Sequence, residues 1–309
     1  MELMAATHQT ATTESVKADG IEFAYRRFGR SSAPPLVLLQ HFRGNLDNWD
    51  PAFTDALAEA REIILVDPPG VGASTGAPRH TVAETARSVL GFLDALNLRE
   101  IDLLGYSLGG FVAQDLALLR PWAIRRLVLA GTGPRGAPGM HGWRDDIQEA
   151  SRHDEGSPED VLYIFYAHTE SSQTKGKESL GRIFKRTDDR DPTPTLAVRE
   201  AQYDAVLEWG IANHGALQRL AGIACPTLIL QGDDDLMIPT KGSHLMAGLI
   251  PDAELRIYAD AAHASIFQYP MEAAQDAAAW TTLAASWITE QSDARSPIPP
   301  IGKEAAWNR

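Results

Sequence analysis

The stretch GYSLGG, residues 105–110, sets a serine between glycines directly after the apolar run IDLL and directly before FVAQDLALLR, which has the makeup of a helix. A sharp turn from strand to helix tolerates only small neighbours, strains the serine backbone and leaves its hydroxyl free at the helix amino terminus. The amide of Leu108 then points to where an oxyanion would form. A plain Gly/Ser turn opening a buried helix would use the same residues, so the rest of the chain must supply what a nucleophile needs. A serine hydroxyl is a weak nucleophile at neutral pH and requires a base. Of nine histidines, His263 in RIYADAAHASIF follows a late strand and stands on a loop that can reach Ser107. The imidazole needs a carboxylate to orient it and to stabilise its charged form. QGDDDLMIP, directly after the preceding strand, offers Asp233, Asp234 and Asp235, of which at least two are expected to be exposed or structural.

These residues need a scaffold that brings distant loops to one edge. ESVKADGIEFAYRRFG alternates on either side of Asp19-Gly20 and predicts an opening hairpin. Strands then alternate with helices: PLVLLQ (35–40), a helix near 50–60, EIILVD (62–67), a helix over 81–96, IDLLGY (101–106), a helix to Leu119, and RRLVLAG (125–131). Near-continuous Leu/Ile/Val strands separated by helices predict a mostly parallel α/β sheet covered on both faces. After Gly131 strand alternation stops for about ninety residues of glycine-rich turns and helical stretches. Strands resume at PTLILQG (226–232) and AELRIYA (253–259), and MEAAQDAAAWTTLAASWI predicts a last helix over 271–288. The division read from this is a flexible amino terminus (1–13), a core (14–134 and 223–290), an inserted helical cap (135–222) and a poorly ordered tail (291–309). A helical cap belongs over the carboxyl ends of the strands, where open α/β sheets bind ligands.

Composition narrows the function classes. The formal charge of −13, from 41 acidic and 28 basic side chains, disfavours nucleic acid and anionic membrane surfaces. A single cysteine, Cys225, allows no internal disulfide, so a cytoplasmic protein is expected. The polar first twenty residues predict no export signal, and no stretch approaches the ~20 apolar residues of a membrane span. No H-E-x-x-H or Cys/His cluster suggests a metal.

From the hairpin to the last helix, the chain resembles the α/β-hydrolase fold family. GYSLGG matches that family's nucleophile elbow, and the order Ser, Asp, His is the order of its triad. GDDDLMIP resembles the G-x-x-D segment whose last acid is the triad member, which selects Asp235, and YADAAHASIFQYP resembles the loop of the catalytic histidine. VDPPGVGAST resembles the D-x-x-G-x-G-x-S loop, a structural turn around Asp67, Gly70, Gly72 and Ser74. One segment departs from the pattern. In LLQHFRGNLDNWD, Gln40 stands where the family has histidine, His41 where it has glycine, and Phe42 where an amide completes the oxyanion hole beside that of Leu108. His41 then sits near the reaction centre, either contacting substrate or simply satisfying loop carbonyls.

The resemblance implies a serine hydrolase that cleaves a carboxylic ester or lactone through an acyl-enzyme, with Ser107, Asp235 and His263 and no cofactor. The same triad in this family also serves carbon-carbon bond hydrolases and cofactor-free perhydrolases or haloperoxidases; a receptor that keeps the fold without catalysis is the reading from another class. The partner implied is a small molecule, and homo-oligomerisation stays open. Aromatic residues of the insertion, Trp143, Tyr163, Phe165, Tyr166, Phe184, Tyr203 and Trp209, favour a medium-sized apolar or aromatic substrate, with Trp143, Tyr163 and Phe184 as expected contacts alongside His41. Lys185, Arg186 and Arg190 alternate with acids in GRIFKRTDDRDPT and read as a solvated helix end.

Overall fold

The computed structural model of the chain describes residues 6–30, 34–153 and 156–282; the predicted tail and the end of the predicted last helix lie outside the described residues. The chain opens with β1 (Thr13–Ala18) and β2 (Ile21–Gly29), which pair antiparallel about Asp19-Gly20. Both turn residues have positive φ, 50° and 77°, as a tight hairpin turn with the right-handed twist of its strands requires. There follow β3 (Leu36–Leu39), α1 (Pro51–Ala58), β4 (Glu62–Val66), α2 (Val82–Ala95), β5 (Ile101–Tyr106), α3 (Leu108–Leu119) and β6 (Ile124–Ala130). Four helices come next: α4 (Asp145–Ser151), α5 (Pro158–Phe165), α6 (Glu170–Ile183) and α7 (Leu196–Trp209). The short α8 (His214–Leu217) leads back to β7 (Thr227–Gly232), α9 (Lys241–Leu249), β8 (Ala253–Tyr258), α10 (Ser265–Gln268) and α11 (Pro270–Thr282). Sequence pattern missed α9, because KGSHLMAGL carries two glycines that weaken its helix signal.

The eight strands form one sheet in the order β1-β2-β4-β3-β5-β6-β7-β8, antiparallel where β2 meets its neighbours and parallel from β4 onward. Period-2 alternation divides the buried strand residues between two cores. Val37, Leu39, Ile64, Val66, Leu103 and Leu127 pack with α2 and α3 on one face. Leu36, Leu38, Ile63, Leu65, Leu104 and Val128 pack with α1 and α11 on the other. Central strands therefore read as continuous apolar runs, while β1 and β8 at the edges are half-exposed. Among the described residues, no helix is long and apolar enough to cross a membrane.

The inserted helices are tied to the sheet's flanking layers by buried charge. Asp50, the cap of α1, accepts from Ser179 Oγ at 2.7 Å and from Arg182 Nη2 at 2.7 Å, both on α6. Arg26 of β2 pairs with Asp47 at 2.6 Å, and Asp47 accepts from the Asp191 amide at 2.6 Å. Asp67 lies against Asp191; burial and that second carboxyl push Asp67 well above the usual carboxylate range. On α7, Arg199 stacks on Tyr203 at 4.7 Å.

Two sequence expectations are corrected here. Arg186 is not part of a solvated helix end: it is buried and donates to the carbonyls of His8 (3.1 Å), Gln9 (3.0 Å) and Ala11 (2.9 Å). Residues 6–12 are for the same reason not a loose segment, since a guanidinium fork holds three of their carbonyls within four residues and removes their freedom. His8 is buried at 1% exposure against Phe28 and exchanges a hydrogen bond with Thr54 Oγ1. Burial, with Arg26 nearby, lowers its pKa from 6.5 to about 3. The unfolded chain takes up a proton below pH 6.5 that folded His8 refuses, so stability is full above that value and is lost as the pH falls toward the folded pKa. At 1.36 kcal/mol per pH unit, the loss from His8 by pH 5 is about 2 kcal/mol. His8→Asn, which keeps an acceptor for Thr54, should show a stability deficit against wild type that shrinks by about 2 kcal/mol between pH 7 and pH 5 in urea unfolding. A deficit that stays constant would mean that His8 charges freely in the folded protein.

Candidate active site

β5 ends in the centre of the sheet and α3 begins at once, so the intervening residue must reverse the chain in one step. That residue is Ser107, at φ 55° and ψ −118°, outside the regions open to an unstrained L-residue. The residues two positions to either side must be glycine. A Cβ on Gly105 would stand 2.5 Å from the Gly109 carbonyl and 2.6 Å from the Gly110 Cα, and one on Gly109 would overlap the carbonyl of Leu39. Serine is a favoured helix cap, yet Ser107 makes no capping bond to α3. Its hydroxyl is instead 2.7 Å from His263 Nε2.

His263 reaches that position from the loop between β8 and α10. The loop is pinned by Asp233, which accepts from the amides of Asp260 (3.2 Å) and Ala261 (3.1 Å). The imidazole is fully buried; Nδ1 donates to Asp235 Oδ2 at 2.8 Å, which leaves Nε2 as the acceptor facing Ser107. Asp235 is itself fixed on every side. Oδ1 accepts from the amides of Met237 and Ile238, each at 2.9 Å, and Oδ2 also accepts from Gln231 Nε2 at 2.9 Å. Ser107, His263 and Asp235 thus form one hydrogen-bonded line that can carry a proton from hydroxyl to imidazole. Of the three adjacent acids, Asp233 and Asp234 are exposed and Asp235 is buried.

Two amides converge beside the hydroxyl. Leu108 is the first residue of α3, where backbone N–H groups have no partner within the helix, and Phe42 lies in the turn after β3. Among the described residues neither amide has a protein acceptor. The turn is held by Gln40, whose Oε1 accepts the His41 amide at 2.9 Å, and by Gln202 of α7, whose Oε1 accepts the Arg43 amide at 2.7 Å.

His41 stands between the rings of Tyr106 (5.3 Å) and Phe165 (4.9 Å). Burial lowers its pKa from 6.5 to about 4, against the pull of the Phe42 carbonyl and with help from the neighbouring His263. The ring is therefore neutral at neutral pH, and its Nδ1 donates to Phe42 O at 2.7 Å. Among the described residues, Nε2 has no hydrogen-bond partner and is left as an acceptor. Tyr106, whose phenol is pushed up by burial, donates to the His263 carbonyl at 3.2 Å and so braces the loop from below.

Two cavities meet at Phe42 and Met237, and the smaller of them also reaches Ser107 and Leu108. One, about 10 Å³, is lined by Ser107, Phe111, Met140, Trp143, Val206 and Ile238. The other, about 410 Å³, includes His41, Phe165, Asn45, Asn48, Phe184 and Met237 in its lining. Trp143 and Phe184 thus line cavities as expected, but Tyr163 does not. On α5, Val161 and Phe165 face the large cavity, and Tyr163, about 200° around the helix from each, faces outward with its hydroxyl on Asp146 at 2.9 Å. Tyr203 packs on Trp143 at 5.0 Å and Trp209 stacks on Phe111 at 5.0 Å, while Tyr166 is buried in the second core. Sequence reasoning missed Gln231, Met140 and Met237. Met237 follows Asp235 in the same turn and was within reach of the motif; Gln231 and Met140 carry no local signal.

A family model described as alpha/beta hydrolase fold matches residues 34–270. The chain is 31% identical to a poly(3-hydroxyalkanoate) depolymerase of Ectopseudomonas oleovorans, over 76% of this chain and 80% of the relative. It is 28% identical to a pimeloyl-[acyl-carrier protein] methyl ester esterase of Proteus mirabilis, over 77% of this chain and 88% of the relative. Among solved structures, an alpha/beta hydrolase fold protein from Chitinophaga pinensis superposes with a TM-score of 0.86 at 36% identity, covering 90% of this chain and 100% of that one.

Proposed function

The chain belongs to the alpha/beta hydrolase fold family, and from that membership we propose that it is a serine hydrolase cleaving a carboxylic ester, open-chain or lactone, of a medium-sized apolar or aromatic small molecule. The observation that carries this reading is the 2.7 Å contact of Ser107 Oγ with an imidazole whose other nitrogen is fixed by a buried carboxylate. The ester-cleaving names of two relatives support the same bond type.

His263 takes the Ser107 proton as Oγ attacks the carbonyl carbon. The amides of Phe42 and Leu108 hold the resulting oxyanion, each such donor being worth about 10²- to 10³-fold in rate. Collapse breaks the bond to the alcohol oxygen, which receives the proton from His263. Water then enters, gives a proton to the same nitrogen and attacks the acyl carbon; collapse returns that proton to Ser107 and releases the acid. Asp235 keeps His263 in the tautomer with Nε2 bare, and the inserted helices act as a lid that keeps bulk water from the charged intermediate.

Folded protein treated with a fluorophosphonate should gain one covalent adduct, mapped to Ser107, and lose ester turnover in parallel. An adduct elsewhere, or none, would remove the hydrolase reading.

A further inference from the structure

We propose that the site divides its ester unequally, taking a short acyl group and a bulky alcohol; this rests on the hydrolase reading above. Three directions leave the tetrahedral carbon on Ser107 Oγ. The oxyanion points to the amides of Phe42 and Leu108. The leaving oxygen must face His263 Nε2, because that nitrogen, 2.7 Å from Oγ, delivers the proton. The acyl substituent takes what remains.

The two cavities map onto the last two directions. Phe165 packs on His263 at 5.3 Å and on His41 at 4.9 Å, and both Phe165 and His41 line the cavity of about 410 Å³. That volume lies in the range that holds a drug-sized ligand, ~300–1,000 Å³. The side toward His263 is therefore the roomy one and belongs to the alcohol. The smaller cavity is lined by Ser107 with Phe42 and Leu108, on the side of the two oxyanion amides, and by none of the rings that border His263. At about 10 Å³ it has room for little more than a methyl group, since ~10–15 Å³ is needed for one water. Its wall does not yield easily. Trp143 is held between Phe42 at 4.8 Å and Tyr203 at 5.0 Å, and Phe111 is stacked on Trp209. Met140 and Met237 are the flexible side chains in that wall, and of the two only Met140 stands apart from the large cavity.

The chemistry is balanced by water alone. Oγ bonds to the acetyl carbon as its proton passes to His263, the carbon–oxygen bond to the alcohol breaks as that proton passes on, and departure of the alcohol opens the large cavity to the deacylating water.

The test is a crossed panel measured as kcat/KM: 4-nitrophenyl acetate against 4-nitrophenyl octanoate, and methyl acetate against 2-naphthylmethyl acetate. Acetate should exceed octanoate, and 2-naphthylmethyl should exceed methyl, each by about tenfold or more. Met140→Ala should narrow the first ratio, and Val161→Trp, which fills the large cavity, should narrow the second; each leaves the other ratio in place. Octanoate equal to or better than acetate, or methyl acetate better than the naphthylmethyl ester, overturns the proposal and leaves the hydrolase reading standing. Fluorophosphonate labelling of Ser107 without turnover of any of the four esters also overturns it. No labelling and no turnover removes the hydrolase reading and this proposal together.

Discussion

Ser107→Ala should lower kcat for ester hydrolysis by about 10⁵- to 10⁶-fold while leaving substrate affinity within a few fold. The size follows from how the parts depend on one another. In a nucleophile–base–carboxylate line, loss of the nucleophile disables the base and its orienting acid as well, so one deletion costs about as much as removing all three. What survives is the pair of amides at Phe42 and Leu108 with the binding cavities, which can still assist direct attack by water, worth about 10³ to 10⁴ over the uncatalysed reaction. Removing one oxygen atom leaves the local packing intact, because Ser107 makes no capping bond to α3 and its backbone contacts remain. The measurement is kcat from active-site-independent protein concentration, with affinity taken from product inhibition. A variant that retains a tenth of the wild-type rate would show that the oxygen of Ser107 does not attack, and would shift attention to water activated directly by His263.

How much of this was legible in the chain depends on the range of the interaction. Ser107 could be read because the demand for small neighbours is local: Gly105 and Gly109 touch backbone within a few residues or on the adjoining strand end. His263 could be read from its place after a strand, since parallel topology brings all such loops to one edge. Asp235 could not be chosen among its neighbours on chemistry alone; the choice needed the family's spacing, and physically it is made by the amides of Met237 and Ile238, whose turn geometry local sequence does not reveal. Arg186 was misread for the opposite reason. Its neighbours in sequence are charged, but what covers it is a segment about 178 residues earlier, whose carbonyls it binds. Tyr163 was misread because aromatic content marks a helix as amphipathic without saying which face meets a cavity. Its exposure follows from the rotation of α5, which is set by Leu162 and Ile164 packing inward. The difference in size between the two cavities lies furthest from the sequence, since it is the sum of side chains contributed by the insertion, α3 and the turns after β3 and β7.

Asp235→Asn should lower kcat by about 10⁴-fold with little change in KM and a folded protein. The hydrogen-bond inventory at residue 235 determines why. The wild-type carboxylate accepts four bonds, two at Oδ1 from the amides of Met237 and Ile238 and two at Oδ2 from His263 and Gln231. An asparagine has one acceptor oxygen and one donor NH₂. Backbone amides cannot turn away, so the oxygen stays with Met237 and Ile238 and the NH₂ faces His263. Gln231 can meet the new donor by a half-turn of its amide, since its Oε1 has no partner among the described residues, at the cost of the Nε2 bond to the Ile238 carbonyl at 3.1 Å. His263 then accommodates it as well, by moving its proton from Nδ1 to Nε2. The imidazole becomes a donor toward Ser107 and can no longer take the hydroxyl proton, so the geometry survives and the base is lost. The same substitution also removes the charge that steadies the imidazolium in the transition state. Comparing kcat for Asp235→Asn with that for Gln231→Leu separates the two contributions, because the second variant keeps the carboxylate and the tautomer and should lose less than about tenfold. Equal losses in the two variants, or an Asp235→Asn enzyme within tenfold of wild type, would mean that the tautomer of His263 is set by something other than residue 235.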